Sequence, residues 1–366
     1  MDDIAHASGR PRAEQPLIGG PYVRNAWYVA GWAEELQGQS FVARTIMDVP
    51  VVMFRKQDGG VAALVDRCAH RFAPLSMGKL LPGDRIMCPY HGLEYDTSGK
   101  CVHNPHGDKR IPDTARVGSF PVIEKHMALW IWMGDKPADP ALIPDFSALD
   151  NPPEIATTKR DSMTMRSNYQ LMIDNLLDLS HTCYLHDGLL GNADVVESDI
   201  KVEQDGDDVV VSRYAPNSIP PGMFAQFWPG HPERIEKQTH IRWMAPSTLK
   251  LMTGICENGD RLENGTGYHA IHMLTPETAH TTHYFFTAVR FGLKTNDEEF
   301  NRSMQTKIAQ MRRFAFEEQD APVVAAQQRR IEGALETLKP VVLAIDVGPV
   351  RYKRVLQKMI DAEQRV

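Results

Sequence analysis

The chain has 366 residues, enough for two domains with a core each. Its 42% apolar and 24% charged residues are ordinary for a globular protein. The formal net charge of −7 leaves no global positive field for nucleic acid or anionic lipid, so any anion selectivity must come from a local basic group. No apolar run approaches the roughly 18 residues of a membrane helix, so neither a membrane nor a nucleic acid is expected as a partner. The five cysteines, Cys68, Cys88, Cys101, Cys183 and Cys256, make a poor disulfide framework and suit a reducing, cytoplasmic location.

Residues 1–20 are polar, contain Pro and Gly and lack a secretory h-region, so they read as a disordered lead-in. Residues 21–140 read as an all-β domain. Strand-like runs at 49–54, 61–65, 118–122 and 128–132 are separated by turns such as Asp58-Gly59-Gly60 and Pro82-Gly83-Asp84. Two clips, Cys68-Ala69-His70 and Cys88-Pro89-Tyr90-His91, lie 17 residues apart at strand ends that lead into loops. Each offers one thiolate and one imidazole. Two Cys and two His are the ligand set of a Rieske [2Fe–2S] centre, with Cys68 and Cys88 on one iron and His70 and His91 on the other. Neutral imidazoles leave less negative charge on such a cluster and raise its potential. A Cys2His2 zinc site uses the same residue types, but zinc clips usually pair Cys with Cys and His with His, whereas these mix them. Residues 136–153, rich in Pro and Asp, read as a linker.

Residues 154–366 mix both element types. Leu171, Met172, Leu176, Leu179 and Leu185 approximate helical periodicity over 168–186. Within this segment Asp174 and Asp178 precede His181 and His186, which are five apart. A five-residue step turns a side chain by about 140° on a regular helix. Both rings can therefore reach one metal only if the helix ends or distorts between them, or if the metal sits at its end. With a carboxylate from elsewhere they would form the 2-His-1-carboxylate triad of a non-haem Fe(II), open to O2. The alternative is a solvated or internally satisfied helix face. A cluster upstream in the same chain favours iron, because O2 activation needs electrons delivered singly.

Strands are expected at 208–214, 238–244, 249–255, 267–274 and 281–289, followed by a long helical stretch from Asp297 to about residue 338, which together make an antiparallel sheet with helices packed on it. His240, Arg242, His269, His272, His283 and Arg290 on these strands are candidates for substrate contact. Residues 217–230, with Phe224, Phe227 and Trp228, read either as a mobile lid or as a hydrophobic loop packed on the sheet. No Gly-rich dinucleotide fingerprint, P-loop or flavin signature is evident, so a reductase must be a separate polypeptide.

The two clips, the segment Asn175-Leu176-Leu177-Asp178-Leu179-Ser180-His181-x4-His186 and the two-part layout resemble the oxygenase component of the Rieske non-haem iron oxygenases. The resemblance runs from about Tyr22 to the late helical region. It points to the vanillate and dicamba O-demethylase branch through stretches such as Val23-Arg24-Asn25-Ala26-Trp27-Tyr28-Val29-Ala30 and Cys88-Pro89-Tyr90-His91-Gly92-Leu93-Glu94. It implies an α+β protein with a Rieske domain at 21–140 and a helix-grip-like catalytic domain at 154–366. It further implies that His181 and His186 bind iron, and that Asp320 is the third ligand. Glu317 and Glu318 are the neighbouring acids, and the family pattern of an Asp before a Val-rich turn selects Asp320. Asp178 is expected to bridge the two centres by accepting hydrogen bonds from a cluster His and an iron His, and Asn175, one turn earlier, to face the iron as well. Members of the family assemble head to tail as homotrimers, which would set His91 against Asp178 of a neighbour. They draw electrons from an NAD(P)H-dependent reductase, directly or through a ferredoxin. The implied reaction is O2-dependent O-demethylation of a small methoxylated aromatic acid, vanillate-like, in which the hydroxylated methyl leaves as formaldehyde. The alternatives are oxygenation of another aromatic (an aryl sulfonate, a phenoxy or N-methyl compound, or ring dihydroxylation) and, more remotely, a non-catalytic electron-transfer protein.

Overall fold

The computed structural model describes residues 20–37, 41–151 and 153–365; the expected disordered lead-in lies outside them except for Gly20. The first part of the chain forms three small antiparallel sheets. Trp27–Trp32 pairs with Ala128–Trp132, which pairs with Val122–Lys125. A second sheet runs Val42–Ile46, Val49–Arg55, Val61–Val65 and Ser119–Phe120, and a third runs Lys79–Leu81, Arg85–Met87, Glu94–Tyr95 and Cys101–His103. The two clips follow Val61–Val65 and Arg85–Met87, at strand ends as expected.

The second part is built on one antiparallel sheet of seven strands. These are β1 (Asp161–Met165), β2 (Ile200–Asp205), β3 (Asp208–Ser218), β4 (Ile235–Met244), β5 (Thr248–Cys256), β6 (Thr266–Pro276) and β7 (Thr282–Phe291), in the spatial order β1-β7-β6-β5-β4-β3-β2. Helix α1 (Tyr169–Leu177), α2 (Glu298–Phe314), α3 (Ala321–Glu332) and α4 (Val347–Gln364) pack on it. Alternation assigns the faces: Ile235, Lys237, Thr239, Ile241 and Trp243 of β4 share one side. The register carries that side through Thr253 to Tyr268. Met304 and Ile308 of α2 cover it, packed with Tyr268, Ala270 and Ala288.

The long helical stretch expected over 297–338 is interrupted. A π-turn over Ala315–Asp320 separates α2 from α3, and α3 ends at Glu332. Pro322 gives the cause, since it has no N–H for the carbonyl four residues back and its ring crowds that carbonyl. The loop carrying Phe224 and Phe227 is no open lid. Both rings are buried, and Phe224 stacks on Tyr268 at 5.9 Å, so the packed-loop alternative holds.

Besides a cluster that each part keeps for itself, the two parts share core. One buried cluster joins Tyr28, Leu129 and Ile131 to Met172, Leu274 and Phe286. Another joins Trp27, Trp130 and Trp132 to Ile271, Met273 and Phe285. The segment read as a linker contributes Ile143, Phe146 and Leu149 to that second cluster, with Phe146 stacked on Trp130 at 6.1 Å. Main-chain bonds seal the junction: Met47 N donates to Pro276 O (2.8 Å) and Asp48 N to Glu277 O (2.9 Å). The Glu363 carboxylate of α4 accepts from Arg24 N and Asn25 N, each at 2.8 Å. A shared core predicts shared stability. Phe146→Ala should cost about 3–5 kcal/mol, and tryptophan fluorescence and far-UV circular dichroism should lose signal in one denaturant transition. Two separated transitions would show independent cores.

Candidate metal centres

The two clips are the same backbone turn used twice. Cys68 N donates to Ala73 O (2.9 Å) and Cys88 N to Leu93 O (2.8 Å). Phe72 N donates back to Cys68 O (2.9 Å) and Gly92 N to Cys88 O (3.1 Å). The residue closing each turn has a positive φ, +62° at Phe72 and +70° at Gly92. A left-handed Phe is costly, and the turn imposes it. The result places both cysteines in the buried cluster with Leu64, Leu75, Ile86 and Tyr95, and both imidazoles outside it, with ring centroids 4.6 Å apart. Burial pushes the Cys88 thiol pKa up, and the nearby Cys68 thiol adds to the effect. Tyr95, which the sequence reading did not single out, lies 3.2 Å from Cys68 Sγ through its hydroxyl. That hydroxyl accepts from Ala69 N (3.1 Å), which leaves its own hydrogen for the sulfur. Two inward thiols and two outward imidazoles fit the donor set of a Rieske cluster.

In the second part, helix α1 opens on Asn168, whose side chain accepts from Gln170 N, and stops before Asp178, whose backbone is extended. The chain then makes a short 3-10 turn at His181–Cys183. This break meets the condition set by the five-residue spacing, and the two rings come within 5.1 Å. The π-turn brings Asp320 to the same point. His186 Nε2 lies 3.3 Å and His181 Nε2 3.7 Å from Asp320 Oδ1, and all three ligand atoms lie within 4.8 Å of one another. The far ring nitrogens are held as well: His186 Nδ1 by Gln319 Oε1 (2.8 Å) and His181 Nδ1 by the Asp178 carbonyl (2.5 Å). Such outer bonds set the tautomer and aim Nε2 inward. Asn175 Nδ2 donates to Asp320 Oδ1 (2.9 Å), so it orients the carboxylate. Burial works against a charged His186, but the Asp320 carboxylate outweighs it and its pKa rises; for His181 burial wins and the pKa falls. Two imidazoles and one nearly fully buried carboxylate fit a single divalent metal. Glu317 pairs with Arg313 instead.

Asp178 makes the iron-side half of the expected bridge through its main-chain carbonyl and not through its carboxylate. Within one chain its carboxylate accepts from Ser180 N (2.7 Å) and Ser180 Oγ, and its Oδ2 stays 4.0 Å from His181 Nδ1, so the main-chain carbonyl holds the ring. Asp174 turns away from the centre and bonds Tyr352 and Lys353 of α4.

A cavity adjoins the triad. Of the six strand candidates for substrate contact, it is lined by His272 alone. His240 bonds Ser212, Arg242 pairs with Asp205 and Asp208, and His283 bonds Thr45 O. Arg290 is buried against Phe227 and bonds Asn301, and His269 packs beside Phe291. The cations that do line the cavity, Arg213, Lys237 and Arg312, were missed. Alternation with Ile235 and Ile241 put Lys237 on the apolar face, and the stripe Asn301, Met304, Ile308 put Arg312 on the buried face of α2; both signals were available. Arg213 is structural. Its guanidinium donates to Leu179 O (2.7 Å), Val195 O, Val196 O (2.8 Å) and Ser198 Oγ (2.7 Å), tying down the segment that carries both histidines. Arg213→Met strands those carbonyls and should cost about 3 kcal/mol or more. Amide exchange over residues 179–198 should then speed up, and unchanged exchange would refute the pinning role.

Comparison with known proteins agrees with both centres. Residues 26–121 match the Rieske [2Fe-2S] domain model, and residues 165–362 match the vanillate O-demethylase oxygenase C-terminal domain model. The chain is 38% identical over 347 residues to the dicamba O-demethylase oxygenase component of Stenotrophomonas maltophilia, covering 93% of this chain and 99% of that one. It is 34% identical over 351 residues to the chloroacetanilide N-alkylformylase oxygenase component of Rhizorhabdus wittichii, covering 94% and 97%. A solved structure of dicamba monooxygenase with non-heme iron and dicamba superposes with a TM-score of 0.77 at 35% identity, covering 94% and 99%. A Rieske centre, and not the zinc alternative, is thereby established. The chain belongs to the Rieske non-haem iron oxygenases, as an oxygenase component of the vanillate and dicamba O-demethylase branch that works with a [2Fe–2S] cluster and a mononuclear iron.

Proposed function

We propose that this oxygenase O-demethylates a small methoxylated aromatic acid in the cytoplasm, through a cluster domain at 21–140 and a catalytic domain at 154–366. The convergence of His181, His186 and Asp320 beside an apolar-walled cavity carries the reading. Cys68, His70, Cys88 and His91 hold the cluster, and His181, His186 and Asp320 hold the iron. When bound, the cluster supplies electrons one at a time and the iron activates O2 next to the substrate. The chain's own residues do the rest. Leu251, Ile241 and Phe316 wall the ring in. Asn175, Gln319 and the Asp178 carbonyl keep the ligands aimed. Hydroxylation of the methoxy carbon consumes O2, two electrons and two protons and releases one water, and collapse of the hemiacetal then yields a phenol and formaldehyde. The electrons come from a separate NAD(P)H-dependent reductase, directly or through a ferredoxin.

The Asp178 carboxylate leaves room for a second chain, since it bonds only Ser180 among the described residues and is 30% exposed. Exposed Phe72 and Tyr90 flank the outward imidazoles. These features support a head-to-tail homotrimer in which His91 of one subunit donates to Asp178 of the next.

With a surrogate reductase, methoxybenzoates should give formaldehyde and a phenol with coupled O2 uptake. His181→Ala should abolish turnover and the mononuclear iron while the cluster's visible spectrum persists, and persistent turnover would refute the triad. Asp178→Asn should keep both metals and lower turnover by about 10–100-fold, with normal turnover refuting the Asp178 bridge between the centres. The N-alkylformylase relative favours a second reading, oxidative N-dealkylation, which would release an N–H compound in place of a phenol.

A further inference from the structure

Three cations and two carboxylates line the cavity beside the triad, and both carboxylates, Asp178 and Asp320, belong to the triad side. The cations differ in how they are satisfied. Arg213 has its donors spent on main-chain carbonyls and Ser198. Lys237 Nζ donates to Gln238 O (3.1 Å), Thr239 Oγ1 (2.8 Å) and Thr253 Oγ1, which uses all three of its hydrogens. Burial pulls its pKa down to about 7, so near neutrality it is only partly charged.

Arg312 is different. It is 4% exposed, and its Nε and Nη1 have no partner among the described residues. The adjacent Arg313 marks the contrast, for it pairs with both Asp161 and Glu317. The Arg312 guanidinium lies over the Phe286 ring at 5.0 Å. Beside it His272, 2% exposed, also leaves Nε2 without a partner. His272 Nδ1 lies 2.7 Å from the Tyr284 hydroxyl, which fixes the ring and leaves Nε2 facing no protein partner among the described residues. Burial, with the charge of Arg312, pushes its pKa down to about 3 and keeps the ring neutral. Arg290 also has unpaired nitrogens, but it stands behind Phe227, outside the cavity.

Unpaired buried donors of this kind are rare and costly in a finished fold. We propose that Arg312, with His272 Nε2 beside it, is the receptor for the acid group of the substrate, so that the aromatic ring spans the cavity between this anion site and the metal triad. The guanidinium fork suits a carboxylate or sulfonate, and the Phe286 face beneath it holds the fork in place. The inference rests on the proposed reaction of an aromatic acid and adds which side chains select the anion.

The test uses 3-methoxybenzoate and its neutral isostere 3-methoxybenzamide, titrated calorimetrically into the reduced holoenzyme without O2. The wild-type enzyme should prefer the anion, and R312Q should weaken the benzoate by about 30-fold or more while the benzamide changes by less than about threefold. R312K, which keeps the charge and loses the fork, should weaken the benzoate by about tenfold; it serves as the readout if R312Q does not fold. K237M should keep the preference for the anion. Equal weakening of both probes by the Arg312 variants, loss of the preference in K237M, or no preference in the wild type overturns the assignment. Formaldehyde is scored separately. An Arg312-dependent preference without formaldehyde sinks demethylation and leaves the receptor standing; formaldehyde without that preference sinks the receptor alone.

Discussion

The end of helix α1 at Leu177 governs the second centre. Continued as a helix, the chain would point His181 and His186 about 140° apart, and no single ion could use both. Once the helix stops, the segment from Asp178 to Val196 has few regular hydrogen bonds of its own and needs an outside partner. Arg213 supplies it from β3, with three hydrogen bonds to main-chain carbonyls of that segment. The π-turn answers from the other side, since an inserted residue rotates Asp320 inward where an unbroken helix would present another side chain. Two local departures from regular helix thus meet at one point.

Much of this was legible before the fold was known. Two thiol–imidazole clips are a strong signal because few sites mix those ligands, and the strands of the large sheet alternate clearly. His181, His186 and Asp320 followed from resemblance, and spacing alone said only that the helix must break. Other features were not readable from local pattern. The linker looked polar because its Pro and Asp residues outnumber Ile143, Phe146 and Leu149, yet those three fill a tryptophan-lined core that exists only once distant strands assemble. The bond between His181 and the Asp178 carbonyl belongs to the backbone and has no residue signature. Lys237 and Arg312 were overlooked for a different reason. On β4 parity places Lys237 on the face of Ile235 and Ile241, and His240 and Arg242 on the opposite one.

The two centres also differ in how they meet solvent. The cluster clips bury sulfur and leave imidazole at the surface, an arrangement that suits passage of electrons across an interface. The triad does the reverse, with Asp320 1% and His186 1% exposed, which suits chemistry that must exclude water. Histidine therefore serves as a surface contact where it is paired with sulfur and as an interior ligand where it is paired with a carboxylate.

The bonds from Glu363 to the main chain of Arg24 and Asn25 have a bearing on synthesis. The first ordered strand, Trp27–Trp32, has its entry held by the last helix, and its tryptophans pack against β6 and β7. Emerging from the ribosome, residues 41–120 can gather around their own cluster of Val52, Phe54, Leu64 and Tyr95. The tryptophan sheet must wait for nearly the whole chain. A strand early in the chain is thus among the last to find its place.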